Sequence, residues 1–218
     1  MKALFGFFLL LGVLAALGFF ILSKSSPPSV IPVKTQTGQL PTESFSIANP
    51  PTESLKGLVS GMKGTIMWES RVATAPATIS TLKEVSQGEL LNTGKNGAIS
   101  LVFSNLAAIE EKSNSSLSIV QTLPSNLVFS QSKGDIVYEK NGDSPLSVRV
   151  ADGVLLVENG RFEVAVDEKK DQVTIDALQG SAKFGFEDEN NVSQVFDIKA
   201  GKKFLFDGPS KTGDFIGG

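Results

Sequence analysis

From Leu55 to about Asp207 the chain alternates apolar and polar residues in short runs. Ile99, Leu101 and Phe103 form one such run, Leu117 and Ile119 another, and Leu127 with Phe129 a third. The pattern recurs in Leu146, Val148 and Val150, in Phe162, Val164 and Val166, in Val173 and Ile175, in Ala182, Phe184 and Phe186, and in Phe204 and Phe206. A period of two sends successive side chains to opposite faces, so each run predicts a half-buried strand.

The punctuation agrees. Asn96-Gly97, Asn141-Gly142, Asp152-Gly153 and Asn159-Gly160 are dipeptides that supply the positive φ angles of tight hairpins. Two stretches, Ile79 to Gln87 and Asn105 to Lys112, are the candidates for helix, and both are shorter than the span over which helical periodicity declares itself. The expected fold is all-β, an antiparallel sandwich or jelly-roll-like domain of about ten to twelve short strands. Repeats of fixed length are not evident, which argues against a solenoid.

Outside this domain the text changes. Ala3 to Leu22 (ALFGFFLLLGVLAALGFFIL) holds no charge, no polar side chain and no proline. As a helix it would measure roughly 30 Å, the thickness of a bilayer hydrocarbon core. Residues 1–22 therefore read as one N-terminal transmembrane helix. A retained signal anchor and a peptide cleaved after Ser25 both fit, and the length of the run favours the anchor. Residues 23–53 hold six of the ten prolines and many Ser and Thr, the composition of an extended spacer that cannot bury enough apolar surface to fold alone. Fully extended, that linker reaches roughly 90 Å. Residues 54–207 form the β domain, and the Gly-rich, polar residues 208–218 read as a flexible tail.

Composition narrows the chemistry. The 218 residues include no Cys and no His, which removes Cys/His zinc sites, haem and iron–sulfur ligation, Ser-His-Asp and Cys-His catalysis, and a lipoprotein anchor. The formal net charge of −3 becomes −5 from Ser25 onward, with 18 basic against 23 acidic side chains. Without a Lys/Arg run, nucleic acid is not an expected partner. Lys2 on one side of the apolar run and Lys24 with Lys34 on the other do not decide its orientation. The signal-like N-terminus and the spacer point to an exported C-terminal domain, hence to a single-pass protein of the cell membrane with that domain extracytoplasmic, and to membrane lipid as a partner of the N-terminal helix.

Carboxylates cluster at Glu110-Glu111, Asp167-Glu168 and Glu187-Asp188-Glu189. A glycosidase needs two facing carboxylates about 5 to 9.5 Å apart. These clusters sit beside Lys112, Lys169-Lys170 and Asn190-Asn191, the dress of solvated hairpin tips. Asp188 to Asn191 supplies oxygen ligands without the spacing of a calcium loop. Trp68 and Tyr138, the non-Phe aromatics, could stack on a sugar or anchor an interface, but each lies in an apolar run and reads as a core position with its polar tip satisfied. Asn114-Ser115-Ser116 fits a glycosylation sequon that arises often by chance, and Gly57 to Gly64 lacks the ending of a phosphate loop. No catalytic, cofactor-binding or metal-ligating residue is assigned.

The order of short motifs resembles the FecR domain, the extracytoplasmic β domain of an iron-transport regulator. Gly64-Thr65-Ile66-Met67-Trp68 is similar to its first strand, and Gly88-Glu89-Leu90-Leu91-Asn92-Thr93-Gly94 to its G-D-x-I-x-T-G element, with Glu89 in place of the usual Asp. Lys95 to Phe103, Ala108-Ile109-Glu110 and Ser113 to Ile119 occupy the next strands. Ser147 to Val157, Gly160-Arg161-Phe162-Glu163-Val164, Val173 to Phe184 and Ala200 to Phe204 resemble the later ones. Each motif alone is common in β domains; the resemblance rests on their order over about 150 residues. Gly160 is followed by Arg161 rather than the family's Thr, and Ser104-Asn105-Leu106 replaces a D-G-S turn. The family's regulator engages a sigma factor through a segment ahead of its membrane helix; here Met1 and Lys2 precede the apolar run, which argues against that contact. The resemblance implies a non-enzymatic binding or scaffolding module of the cell envelope with a protein or glycan partner. The alternatives are a regulator relaying an envelope signal through the anchor, and a carboxylate hydrolase.

Overall fold

The computed structural model describes residues 53–217 except 73, 74, 80, 82 and 83, and the regular elements within them are β-strands. The expected anchor at 1–22 and the linker as far as residue 52 lie outside the described residues. Among the described residues no helix is long and apolar enough to cross a membrane.

The alternating runs become fifteen strands. They are β1 (Gly57–Lys63), β2 (Ile66–Glu69), β3 (Ala77–Thr78), β4 (Glu84–Val85), β5 (Leu90–Thr93), β6 (Ala98–Phe103), β7 (Ala107–Glu111) and β8 (Ser116–Leu123). They continue with β9 (Asn126–Lys140), β10 (Leu146–Val150), β11 (Gly153–Asp167), β12 (Gln172–Glu187), β13 (Ser193–Lys199), β14 (Lys203–Asp207) and β15 (Thr212–Phe215).

Three of these, β9, β11 and β12, run to 15 or 16 residues, against a common strand length of about five or six. Each changes neighbours midway. β9 pairs with β8 and β10 in its first half, then with β7 and β11 from Gly134 onward. β11 pairs with β10 as far as Val157 and with β9 from Gly160. β12 pairs with β14 over Gln172 to Asp176 and with β13 over Ser181 to Glu187. One ladder therefore reads β13-β12-β11-β10-β9-β8-β5-β2-β3, and the other β15-β14-β12-β11-β9-β7-β6-β1-β4.

The two ladders pack face to face. Phe103 on β6 lies 5.2 Å, ring to ring, from Phe129 on the first half of β9, and Phe206 on β14 lies 4.6 Å from Phe186 at the end of β12. Phe184 reaches both Phe204 and Phe206 across the same gap, at 5.6 and 5.5 Å. Inward-pointing Val, Ile, Leu and Phe from both ladders form one buried cluster. Each fully buried side chain of this size contributes about 1.5–3 kcal/mol, so the alternation seen in sequence is the main source of stability.

The bends need glycine at their tightest point. Gly160 and Gly180 face each other across the β11–β12 pair with φ of 89° and 85°. A Cβ on Gly180 would stand 2.1 Å from the Asn159 carbonyl oxygen, and one on Gly160 2.2 Å from that of Gln179. No side chain fits there, and the left-handed backbone disfavours one anyway.

Five expectations are corrected. The candidate helix at Asn105 to Lys112 is a turn followed by β7, because Ala107, Ile109 and Glu111 alternate inward at period two. In the stretch Ile79 to Gln87 the described residues hold β4, whose Val85 is fully buried. The tail is not free from end to end: Thr212–Phe215 pairs with β14, and the Phe215 ring meets Phe204 at 5.4 Å. Of the four turn dipeptides, Asn159-Gly160 lies inside β11, at its bend; the turn after β10 uses Ala151 at φ 44° instead of Gly153. The sheet is also mixed rather than wholly antiparallel, since β9 and β10 run parallel from Leu127 to Gln131.

Candidate interaction surface

The three carboxylate clusters lie in separate places. Glu110 sits on the outer face of β7 and accepts a 2.9 Å ion pair from Arg161, whose other nitrogen reaches Glu139 at 3.0 Å. Asp167 caps the β11–β12 turn. Slight burial works against its charge, but the backbone N–H groups of Lys170 and Lys169, and then the Lys170 ammonium, hold its pKa below the ordinary value. Glu187 and Glu189 stand exposed at the β12–β13 turn, with Asp188 kept ionised by the Val192 backbone N–H and the Gln194 side chain. The length of β12 separates Glu187 from the Asp167 turn.

Two open grooves of about 600 and 610 Å³ touch these turns. One runs past Asp152, Gly185, Glu187 and Val195; the other lies between Lys133, Asp135, Asp167 and Lys169. A general acid needs a raised carboxyl, whereas the Asp167 carboxyl in the second groove is lowered by its own turn.

Glu111 is different. It points inward between Ile99 and Ile136, is 1% exposed, and neither carboxyl oxygen meets a hydrogen-bond donor among the described residues. Burial pushes its pKa up to about 8, with partial relief from the Thr93 backbone N–H, which itself donates to the Ser115 carbonyl at 3.0 Å. The same burial, and then the charge of Glu111, raise Tyr138 well above its usual range. Tyr138 donates to Gln131 Oε1 at 3.1 Å, and Trp68 Nε1 to Glu89 at 2.7 Å, so both aromatics have their polar tips satisfied against the core.

A surface with unused bonding capacity lies at β13. Among the described residues the strand pairs with β12 alone. The Asp188 N–H donates to Val192 and the Ala200 N–H to Gly180, which sets the phase of the ladder: residues 194, 196 and 198 face β12. The backbone groups of Ser193, Val195, Asp197 and Lys199 therefore point away from the sheet, and of these the Lys199 carbonyl accepts the Lys202 N–H at 3.0 Å. Beside this edge the pairing aligns Val154, Gly185 and Val195 on the outer face, with Leu156, Lys183 and Asp197 in the next row. Val154 is 44% exposed, Leu156 37% and Val195 64%. Lys183 and Asp197 pair at 2.9 Å over the middle of this patch. Phe215, at the edge of the opposite ladder, turns its ring toward Phe196 at 6.5 Å.

Alternation alone did not single out these residues. The available signal was Val154-Leu155-Leu156-Val157, four consecutive apolar residues in a strand, which makes both faces apolar.

No family model matches the chain, and no curated protein matches it. Two crystal structures of a candidate anti-sigma factor from Parabacteroides distasonis ATCC 8503 are similar in fold, each with a TM-score of 0.49. Their sequence identities are 9% and 8%, and each match spans 58% of this chain and 58% of the other.

Proposed function

We propose that this chain is a membrane-anchored, extracytoplasmic module of the FecR type, a β-sandwich that binds or scaffolds another component of the cell envelope and performs no chemistry of its own. The observation that carries the reading is the β13 edge. Free backbone groups of Ser193, Val195 and Asp197, with the Lys199 N–H, lie beside exposed Val154, Leu156 and Val195, the arrangement used when an extended segment adds to a sheet. The apolar run Ala3 to Leu22 supports the anchor, and the proline-rich spacer would hold the domain clear of the lipid. The lack of Cys and His supports a binding role over a catalytic one.

The test is cross-linking in intact cells followed by co-purification of the full chain from membranes. An envelope protein or glycan should be recovered with wild type and lost with Val195→Pro. Recovery of no envelope component, together with full release of the chain into the medium, would sink the proposal.

A further inference from the structure

The β13 edge carries charge of opposite sign at its two ends. Glu187 and Glu189 flank its N-terminal turn, and Lys202 and Lys203 follow its C-terminal turn; all four are exposed. None makes an ion pair within the described residues. We infer that the occupant of this edge is the same edge of a second copy of the chain, joined antiparallel about a two-fold axis. The inference rests on β13 being a binding edge.

The geometry follows from strand phase. A two-fold axis through Phe196 sets Ser193 opposite the second copy's Lys199 and Val195 opposite its Asp197. The outward N–H and C=O of Val195 and Asp197, the Ser193 C=O and the Lys199 N–H then find antiparallel partners, while the Lys199 C=O already accepts the Lys202 N–H of its own turn at 3.0 Å. The same operation brings the acidic turn of each copy against the basic turn of the other, so the charge match occurs twice. A parallel arrangement would set acid against acid and base against base. The interface is isologous, as a closed dimer requires, and it removes an open edge that would otherwise template uncontrolled pairing. Phe196 and Phe215 border the seam, so the joined edges also cover apolar surface.

Sedimentation equilibrium of the full chain in density-matched detergent micelles tests this. Wild type should reach a monomer–dimer equilibrium that weakens at about 0.5 M salt. The pair Lys202→Glu with Lys203→Glu should weaken association about tenfold, as should Glu187→Lys with Glu189→Lys. Combining all four reversals should restore it. Val195→Pro removes an outward N–H and should abolish dimerisation; Trp68 fluorescence checks that this variant folds, and the charge reversals, on exposed turns, decide if it does not. A chain that stays monomeric, a dimer indifferent to every variant, or a fourfold reversal that fails to restore association overturns the inference. Recovery of an envelope component from cells while these tests fail would leave the binding-module reading standing and remove the second copy alone.

Discussion

Glu111 makes the stability of this fold depend on pH in a direction opposite to ordinary surface carboxylates. In the unfolded chain it ionises near 4.5, and in the folded chain it is pushed up to about 8, because burial between Ile99 and Ile136 disfavours its charge and the Thr93 backbone N–H offsets only part of that cost. A folded-state pKa above the unfolded one means that the folded protein holds the proton more tightly. The contribution of Glu111 to stability is therefore greatest below pH 4.5, falls between 4.5 and 8, and is level above. At 1.36 kcal/mol for each pH unit the whole loss is about 5 kcal/mol, of which about 3 falls between pH 5.5 and 9. The lowered carboxylates Asp167, Asp188, Asp197 and Asp207 act the other way, but they are fully ionised above pH 5.5. Glu111→Gln keeps the shape and cannot ionise. Urea unfolding, read by the fluorescence of Trp68, should show wild type losing about 3 kcal/mol more than E111Q between pH 5.5 and 9. Parallel pH profiles for the two proteins would refute the account of an unpartnered buried carboxyl.

Gly180→Ala should cost about 2–3 kcal/mol in urea unfolding, since its Cβ meets the Asn159 carbonyl and its φ of 85° is left-handed. A neutral effect would mean that the bend can relax. Phe184→Ala should cost about 3–5 kcal/mol by the same measurement, because its ring packs beside Phe186 on its own strand and meets Phe204 and Phe206 across the gap between ladders. Arg161→Ala breaks ion pairs to Glu110 and Glu139 that are a third or more exposed, so the expected loss is below about 1 kcal/mol and smaller still in high salt.

Much of the strand inventory was legible because its signal is local. Leu146, Val148 and Val150, or Phe162, Val164 and Val166, announce a half-buried strand through neighbours two residues apart. Asn105 to Lys112 misled because Ala107, Ala108, Glu110 and Glu111 favour helix in isolation, and pairing with β6 and β9 overrides that preference. Asn159-Gly160 misled for a related reason: the dipeptide permits a positive φ, but whether the chain reverses there or merely bends depends on the strands alongside. Thr212–Phe215 reads as tail in sequence because four residues carry too little pattern; pairing with β14 and the contacts of Phe215 with Phe204 and Phe196 fix them.

What the sequence determined by itself is the list of side chains able to lie inside, the all-β class, and the exclusion of His- and Cys-dependent chemistry. These follow from composition and from a period of two, which any reader of the chain can see. Three decisions belong to tertiary structure alone. β9, β11 and β12 each serve two ladders, Glu111 faces an apolar row while Glu110 faces solvent, and β13 is left with an unpaired edge. Each depends on which distant strand lies alongside, and strand pairing is set by the total burial gained across the whole sheet rather than by any local run of residues.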